Sequence, residues 1–147
     1  MIFNVMPKKN EFIEKLAYRW IIHAHAEQGS ADYEREFVVW EIVNSMSHGF
    51  PEETWEFIQT VIDIDSKRET LGPLATGPLE DLIANFGEKM IDSIVARAQV
   101  DRRVSETLGL VWLDNVSDEV RDKVLAVRDV EGWGTDVWYP YKENERT

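Results

Sequence analysis

The residues of this sequence best suited to acid–base or metal chemistry are two histidines and a nearby glutamate, His23, His25 and Glu27. Helical residues two apart point roughly 200° away from each other, so the two histidines cannot bind one metal ion together. His23 and Glu27 are four apart and share a helix face, so this pair could bind one metal ion, and nearby Lys, Arg or Tyr residues could assist acid–base chemistry. No second His-x-x-x-His or His-Glu-x-x-His element completes a metal site. The sequence therefore predicts no metal and no other cofactor, and the histidines are interpreted as structural or surface residues.

Motifs for nucleophilic or phosphate chemistry are absent from the sequence. It contains no Gly-x-Ser-x-Gly element, no phosphate-binding glycine loop and no Gly-x-Gly-x-x-Gly. Asp63-Ile64-Asp65 resembles part of a calcium loop but lacks the glycine and the bidentate glutamate at the required offsets. Cysteine is missing, which excludes disulfides, thiolate zinc sites, iron–sulfur clusters and cysteine nucleophiles. No catalytic residue is predicted.

Charge is the strongest functional signal in the chain. It carries 28 acidic and 16 basic residues, a formal net charge of −12 and an isoelectric point near 4.6. A field of this sign repels phosphate backbones and anionic lipids, so direct binding to nucleic acid or membrane is not expected. Residues 31–66 alone hold a net charge of −8. This concentration predicts either a solvated acidic face or a surface for a basic protein.

Within that segment, a predicted helix begins at Pro51 and carries two glutamates in its first turn. Polar residues then recur every three or four positions on the side opposite Ile58 and Ile62. We call this row, together with the second first-turn glutamate, the acidic stripe; it consists of Glu52, Glu53, Glu56, Gln59 and Asp63. Its four carboxylates are the predicted partner-binding residues.

The six tryptophans fall into two groups. The first group lies at apolar helical positions and is predicted to be core: Trp20, Trp40, Trp55 and Trp112. Trp133 and Trp138 belong instead to an aromatic tail that begins at about residue 130. Such a tail either folds back over exposed helix ends or provides aromatic anchors for a partner. Both tail tryptophans are therefore also predicted partner-binding residues.

The elements that position these residues are helical almost throughout, because apolar residues recur at three- and four-residue steps. Asn10, Pro51, Pro78 and Ser117 mark helix starts. The predicted helices span about 10–28, 32–47, 51–64, 78–86, 88–98, 101–112 and 117–127, with a linker over 65–77. The β-branched and aromatic run at 37–40 leaves a strand as the local alternative, but the length of the segment favours a helix.

Six to seven such helices predict an all-α fold, an irregular antiparallel bundle forming a single domain over residues 1–147 with a partly ordered tail. Stacked helical hairpins over 31–65 and 78–99 are the alternative arrangement. The first residues do not resemble a targeting signal, and no apolar run approaches the roughly 18 residues that span a bilayer. A cytoplasmic protein is expected.

One stretch carries a family resemblance. Leu74-Ala75-Thr76-Gly77-Pro78-Leu79-Glu80-Asp81-Leu82-Ile83, followed by Gly87 and Trp112, resembles a family of small uncharacterised bacterial proteins. Their pattern is an Ala-x-Gly-Pro-Leu-Glu-Asp-Leu-Leu helix start, a glycine, a second helix and a downstream tryptophan, and Pro51-Glu52-Glu53-Thr54-Trp55 is similar to their Pro-Glu-x-x-Trp element. The resemblance implies a helical fold and a bacterial or phage origin but no activity.

The function predicted from these observations is a small acidic protein-binding module of the inhibitor or immunity type. Its expected partner is a basic protein such as a toxin, a nuclease or a defence protein, because proteins that act on nucleic acid are themselves basic. The alternative is an enzyme with a carboxylate–histidine site, with or without a metal ion.

Overall fold

The computed structural model describes residues 10–133 of the chain, so Trp138 and most of the predicted tail lie outside the described residues. The helices are α1 (Glu11–His25), α2 (Ala31–Met46), α3 (Pro51–Ile64), α4 (Arg68–Leu74), α5 (Glu80–Val100), α6 (Arg102–Leu108) and α7 (Asp118–Val127). A π-helical turn over Ala75–Leu79 joins α4 to α5, and a 3₁₀ turn covers Glu131–Trp133. Residues 10–133 contain no strand. The prediction of an all-α bundle is confirmed.

Local capping explains where several helices begin. The Asn10 side chain accepts hydrogen bonds from the backbone N–H groups of Phe12 and Ile13, at 3.0 and 3.3 Å. Ser117 caps α7 in the same way through the N–H of Val120. A side-chain acceptor at this position satisfies N–H groups that have no partner inside the helix. The predicted starts at Asn10 and Ser117 are therefore confirmed.

The core lies between two groups of helices. In the first group, α1 packs against both α2 and α3, and the rings of Trp20 and Phe57 meet edge to face at 5.9 Å. In the second group, α5 packs against α7, α6 and α3. Helix α3 therefore joins the two groups, and six of its side chains between Trp55 and Ile62 are buried.

Three predicted boundaries were wrong. The expected linker over 65–77 is largely helical. Pro78 fits inside a wide π turn, so the helical backbone continues through it instead of being interrupted. Gly87 does not end a helix: α5 runs through it, with a kink at Phe86 (φ −136°, ψ 27°). Helix α6 ends at Leu108, so Trp112 lies in the loop that follows.

The reason for a glycine at position 87 is a close helix contact. A Cβ atom there would lie 3.1 Å from Cγ1 of Val120, the first buried residue of α7. Gly87 therefore lets α7 pack closely on α5. A local reading of glycine as a helix terminator misses this role, because the constraint comes from a residue 33 positions further along the chain.

Candidate functional site

The acidic stripe lies on the side of α3 that meets α5 and α6, and its first residue is already paired. Glu52 Oε2 lies 2.8 Å from Lys89 Nζ on α5. The hydrogen bond from Lys89 lowers the pKa of the Glu52 carboxyl. Both side chains are exposed, so solvent screens this ion pair and it adds little to stability. Glu52 is thus accessible but partly neutralised.

The last residue of the stripe belongs to a denser network. Asp63 Oδ1 lies 3.3 Å from Arg97 Nη2 and 3.0 Å from Arg103 Nη2. Both arginines also bind Asp101, and Arg97 donates a hydrogen bond to the Gln59 side chain at 2.9 Å. Hydrogen bonds from Arg103 and Arg97 hold the pKa of the Asp101 carboxyl far below its usual range. This end of the stripe joins α3 to α5 and α6.

The other two carboxylates of the stripe, Glu53 and Glu56, form no ion pair within the described residues. Glu53 is exposed, Glu56 is half-buried, and neither has an ion-pair partner between residues 10 and 133. Glu34 and Glu41, on the outer side of α2, are likewise exposed and without a described ion-pair partner. Four uncompensated carboxylates therefore lie on the two helices that hold most of the net charge.

Helix α2 also exposes large apolar side chains. Phe37, Val38 and Trp40 are exposed, and the Phe37 and Trp40 rings are stacked with centroids 5.5 Å apart. We call these three residues, with Glu34 and Glu41, the α2 surface. Exposed aromatic residues bordered by polar groups are typical of protein interfaces. The α2 surface therefore combines exposed apolar side chains with free carboxylates that have no described ion-pair partner, and these two features suit a basic, partly apolar partner.

The prediction that four tryptophans are core was wrong for two of them. Trp20 and Trp55 are buried, but Trp40 is 43% exposed and Trp112 is 42% exposed. The sequence carried a signal for Trp40, because four consecutive apolar residues on a helix project to nearly all sides. A helix packed on one side can bury only some of them. In α2, Val39 is the buried residue of this run.

A cleft adjoins the α2 surface and has a volume of about 310 Å³. It lies between α2 and the π turn, and we call it the α2 cleft. Its lining is mostly apolar or uncharged, with one carboxylate: Trp20, Trp40, Val43, Asn44, Ser47, Pro73, Thr76, Gly77, Pro78 and Asp81. Asp81 is half-buried and has no ion-pair or hydrogen-bond partner among the described residues. A cationic group is the natural complement of this lining.

Glu80, beside Asp81, has a structural role. Its Oε1 accepts a hydrogen bond of 2.7 Å from the backbone N–H of Trp112. Burial, with repulsion from Asp81 and Asp114, raises the pKa of Glu80 above its ordinary value although the Trp112 hydrogen bond opposes this. The contact joins the Gly-Pro-Leu-Glu-Asp segment to the loop after α6 through a backbone N–H, so it does not depend on the tryptophan side chain.

The predicted pairing of His23 with Glu27 is not present. Helix α1 ends at His25, so Glu27 lies beyond the helix and the four-residue spacing no longer places it on the His23 face. His23 is instead buried, with its ring 4.4 Å from that of Tyr33 and 6.0 Å from that of Phe37. Its Nε2 has no hydrogen-bond partner among residues 10–133. Burial lowers the pKa of His23, although the nearby Glu36 opposes this.

We expect the stability of the protein to fall as pH decreases below about 6.5 because of His23. Its pKa is lowered in the folded state, so the unfolded chain takes up a proton first. The His23→Phe variant keeps an aromatic ring between Tyr33 and Phe37 and removes the unpartnered nitrogen, so it should be more stable by about 1 kcal/mol at pH 7. The free energy of unfolding, measured with denaturant between pH 5 and 8, should depend less steeply on pH in the variant than in the wild type. An equally steep dependence on pH contradicts the assignment to His23.

The histidine that does meet a carboxylate is His25. Its Nε2 lies 3.2 Å from Asp65 Oδ2 and 2.6 Å from Thr70 Oγ1. The Thr70 hydroxyl donates to Asp65 Oδ2 at 2.9 Å, so His25 Nε2–H must donate to Thr70 Oγ1. Burial disfavours the Asp65 carboxylate, but hydrogen bonds from the Lys67 N–H and the Thr70 hydroxyl outweigh it and lower the pKa of Asp65. This arrangement connects α1 to α4.

Trp133 adopts the folded-back arrangement that was one of the two predicted for the tail. It is only 4% exposed, and its indole Nε1–H donates a 2.7 Å hydrogen bond to the carbonyl of Glu106 on α6. The Arg68 guanidinium lies 5.5 Å from the ring centroid. Trp133 therefore covers the end of α6, and burial of its ring leaves little area for a partner. Trp138, the other predicted anchor, lies outside the described residues.

Between residues 10 and 133, no group of three or more metal-ligating side chains is gathered closely enough to hold an ion. Within the same range, no helix has the length and apolar character needed to cross a bilayer.

Comparison with known proteins gave one match. The model of a protein family described as Family of unknown function (DUF6869) matches residues 26–132 of the chain. The matched range contains the α2 surface, the acidic stripe and the α2 cleft except for Trp20. No curated protein and no solved structure matches the chain.

Proposed function

The chain belongs to the Family of unknown function (DUF6869), and we propose that it is an acidic module without catalytic activity that binds a basic protein. We propose an inhibitor or immunity role, in which the module neutralises a toxin, nuclease or defence protein. A bacterial or phage origin and a cytoplasmic location are part of the same proposal. The family match carries no activity, so the support comes from the surface of the molecule.

The observation that carries the proposal is the coincidence of uncompensated charge and exposed aromatic rings. Glu53 and Glu56 on α3 and Glu34 and Glu41 on α2 have no ion-pair partner among residues 10–133. In the sequence of α2, the exposed Phe37 and Trp40 lie between Glu34 and Glu41. Charge steers encounter with a basic partner, while buried aromatic area supplies most of the affinity once contact is made.

The carboxylates that already have partners contribute less to this surface. Glu52 is paired with Lys89, and Asp63 is held by Arg97 and Arg103. Reversing Asp63 would therefore damage the contacts between α3, α5 and α6 as well as remove a surface charge. Glu53 and Glu56 are better positions for a test, because their side chains have no described ion-pair partner to lose.

We expect the Glu53→Lys, Glu56→Lys double variant to slow association with a basic partner about tenfold at low salt. The partner is first recovered by affinity capture on the intact chain and then purified. Stopped-flow association rates are measured at several ionic strengths, because steering by exposed charges is screened over about 8–10 Å. The wild-type rate should fall as salt rises, and the rate for the double variant should depend on salt less steeply.

A matched control separates a specific surface from general attraction. Glu119→Lys, Asp122→Lys on α7 makes the same change in net charge at exposed positions that also lack a described ion-pair partner. Melting temperatures are recorded for both variants, because Glu53 lies in the first turn of α3 and its reversal costs about 0.3–1 kcal/mol there. A binding surface on α2 and α3 is contradicted if the α3 and α7 double variants slow association equally, or if neither slows it.

The second candidate is an enzyme with a carboxylate–histidine site, and its support is the His25–Asp65 pair. These residues line a pocket of about 380 Å³. Against it, Thr70 is fully buried, and its hydroxyl hydrogen is directed to Asp65 rather than accepted by His25. A panel of chromogenic esters and phosphate esters, assayed with wild type and His25→Gln, tests this candidate. Turnover by wild type that is lost in the variant favours the enzyme over the binding module.

A further inference from the structure

We propose that the α2 cleft binds the guanidinium group of an arginine side chain presented by the basic partner, with the guanidinium between Trp40 and Asp81. This inference rests on the proposed function and names the chemistry that the site recognises. The cleft is distinct from the acidic stripe, since no residue of α3 lines it. The two surfaces are therefore testable separately.

The aromatic side of the cleft is Trp40. One face of its ring is stacked on Phe37, at 5.5 Å between centroids and 23° between planes, while the residue as a whole remains 43% exposed. Phe37 thus supports the ring in one orientation without covering it completely. A tryptophan face is the best aromatic partner for a cation, and arginine occurs there more often than lysine.

The charged side of the cleft is Asp81. It is half-buried and has no described partner, and its near neighbour Glu80 is also subject to repulsion from Asp114. Asp81 and Glu80 therefore repel each other, and Asp81 is the one of the two that lines the cleft. An incoming guanidinium would relieve this repulsion and form a two-pronged hydrogen bond with Asp81.

The size of the cleft favours one long side chain. A volume of about 310 Å³ is at the lower limit for sites that take a small molecule, at roughly 300–1,000 Å³. Buried Trp20, Val43 and Pro78 supply apolar lining. An arginine stem carries three methylene groups that prefer such a surface, while its head remains available for Asp81 and Trp40.

The direct test is an NMR titration of the intact chain with a single blocked residue, N-acetyl-arginine methylamide. We expect roughly millimolar binding, reported by shifts of the Trp40 and Trp20 indole N–H signals and of the Thr76 and Gly77 amides. The corresponding citrulline compound has almost the same shape without the charge and should produce shifts at least five times smaller at equal concentration. The lysine compound should bind several times more weakly than arginine.

Paired variants locate the interaction. Asp81→Asn keeps the size of the side chain and should weaken arginine binding at least fivefold, whereas Asp122→Asn removes one exposed charge from α7 and should leave it unchanged. Trp40→Ala should weaken binding as well, and its melting temperature is recorded alongside. Trp40→Phe keeps a stacking ring in case the alanine variant fails to fold. Its affinity for the arginine compound should lie between those of the wild type and Asp81→Asn.

Three results would overturn the inference: equal shifts with citrulline and arginine, unchanged binding by Asp81→Asn, or shifts confined to α3. Equal binding of the lysine compound overturns the assignment of a guanidinium. Failure here leaves the proposed function intact if Glu53→Lys, Glu56→Lys still slows partner association. Arginine binding in the cleft, combined with no response of any basic partner to charge reversal, would instead contradict the proposed function alone.

Discussion

The Asp101→Ala variant should lose about 2–4 kcal/mol of stability against unfolding, the largest effect of any single substitution proposed for this protein. Asp101 Oδ2 lies 2.8 Å from Arg103 Nη2 and 2.9 Å from Arg97 Nη2, and Oδ1 accepts a hydrogen bond from the Arg103 backbone N–H at the start of α6. The carboxylate side chain is only 12% exposed. Its removal leaves two arginines sharing Asp63 and a helix without its cap. Denaturant unfolding at pH 7 gives the loss directly.

Asp101→Asn separates the charge from the cap. Asparagine is a good N-cap, so this variant should lose only the ionic part, about 1–2 kcal/mol at pH 7. The pKa of Asp101 is lowered on folding, so the stability that its charge contributes is present above the ordinary value of 3.8 and is lost as pH falls through the lower folded value. The difference between wild type and Asp101→Asn should therefore be constant from pH 5 to 7 and shrink below about pH 4. A difference that does not change with pH would contradict the ionic role.

The Gly109→Ala variant should lose about 1–3 kcal/mol, because the new methyl group has no space. A Cβ atom at this position would lie 2.5 Å from the Asp129 carbonyl oxygen and 3.0 Å from the Glu106 carbonyl oxygen. It would also lie 3.2 Å from Trp133 Nε1, whose hydrogen bond to Glu106 holds the end of the described chain on α6. The backbone at Asp129 must therefore move away, and Trp133 with it. A melting temperature lower by about 2–4 °C for each kcal/mol is expected.

Gly49→Ala is the matched control for this prediction. Gly49 lies just after α2, and a Cβ atom there would come no closer than 4.0 Å to the Ser45 carbonyl oxygen. Its φ is not positive, so alanine fits the backbone and this variant should be neutral or slightly more stable. Hydrogen exchange of the Trp133 indole N–H should become faster in Gly109→Ala and stay unchanged in Gly49→Ala. Equal melting temperatures for both variants would mean that the segment over 129–133 does not depend on close approach to Gly109.

The proposed function depends on surfaces that the two stability predictions leave untouched. Asp101 and Gly109 are not part of the α2 surface, and neither lines the α2 cleft. Variants at Glu53, Glu56, Trp40 and Asp81 can therefore be compared at equal stability once melting temperatures are known. This matters because a loss of binding by an unfolded variant says nothing about a surface.

Local features of the sequence predicted the secondary structure well wherever the cause was itself local. Asn10 and Ser117 begin helices because each side chain accepts a hydrogen bond from a backbone N–H two or three residues further along the chain. The sequence predicts a helix end at Gly87, but Val120 packs against this position and α5 continues through it. It predicts a helix start at Pro78, but Pro78 lies inside a π turn. The first error arose because a neighbour in space decided the residue type, and the second because the backbone turn around Pro78 is wider than an α-helical one.

The candidate sites show the same division. The distribution of charged residues along the sequence indicated the concentration of negative charge over residues 31–66. The spacing of Glu52, Glu56 and Asp63 placed them in one row on α3. Which of these charges is free was not predictable, because Lys89, Arg97 and Arg103 reach them from α5 and α6. The exposure of Trp40, and the lack of a partner for Asp81 within residues 10–133, depend in the same way on what packs beside them.

The sequence by itself determined that the chain is helical, that it is strongly acidic and that its helices have apolar faces. Periodicity and capping act within about one turn of helix, and charge composition does not depend on folding at all. Only the tertiary structure decided which carboxylates are neutralised, which tryptophans are buried and where a cleft remains. The physical reason is that ion pairs and burial depend on distances between residues far apart in the chain, as between Asp63 and Arg103 or between Trp40 and Asp81, and those distances arise only when the helices pack.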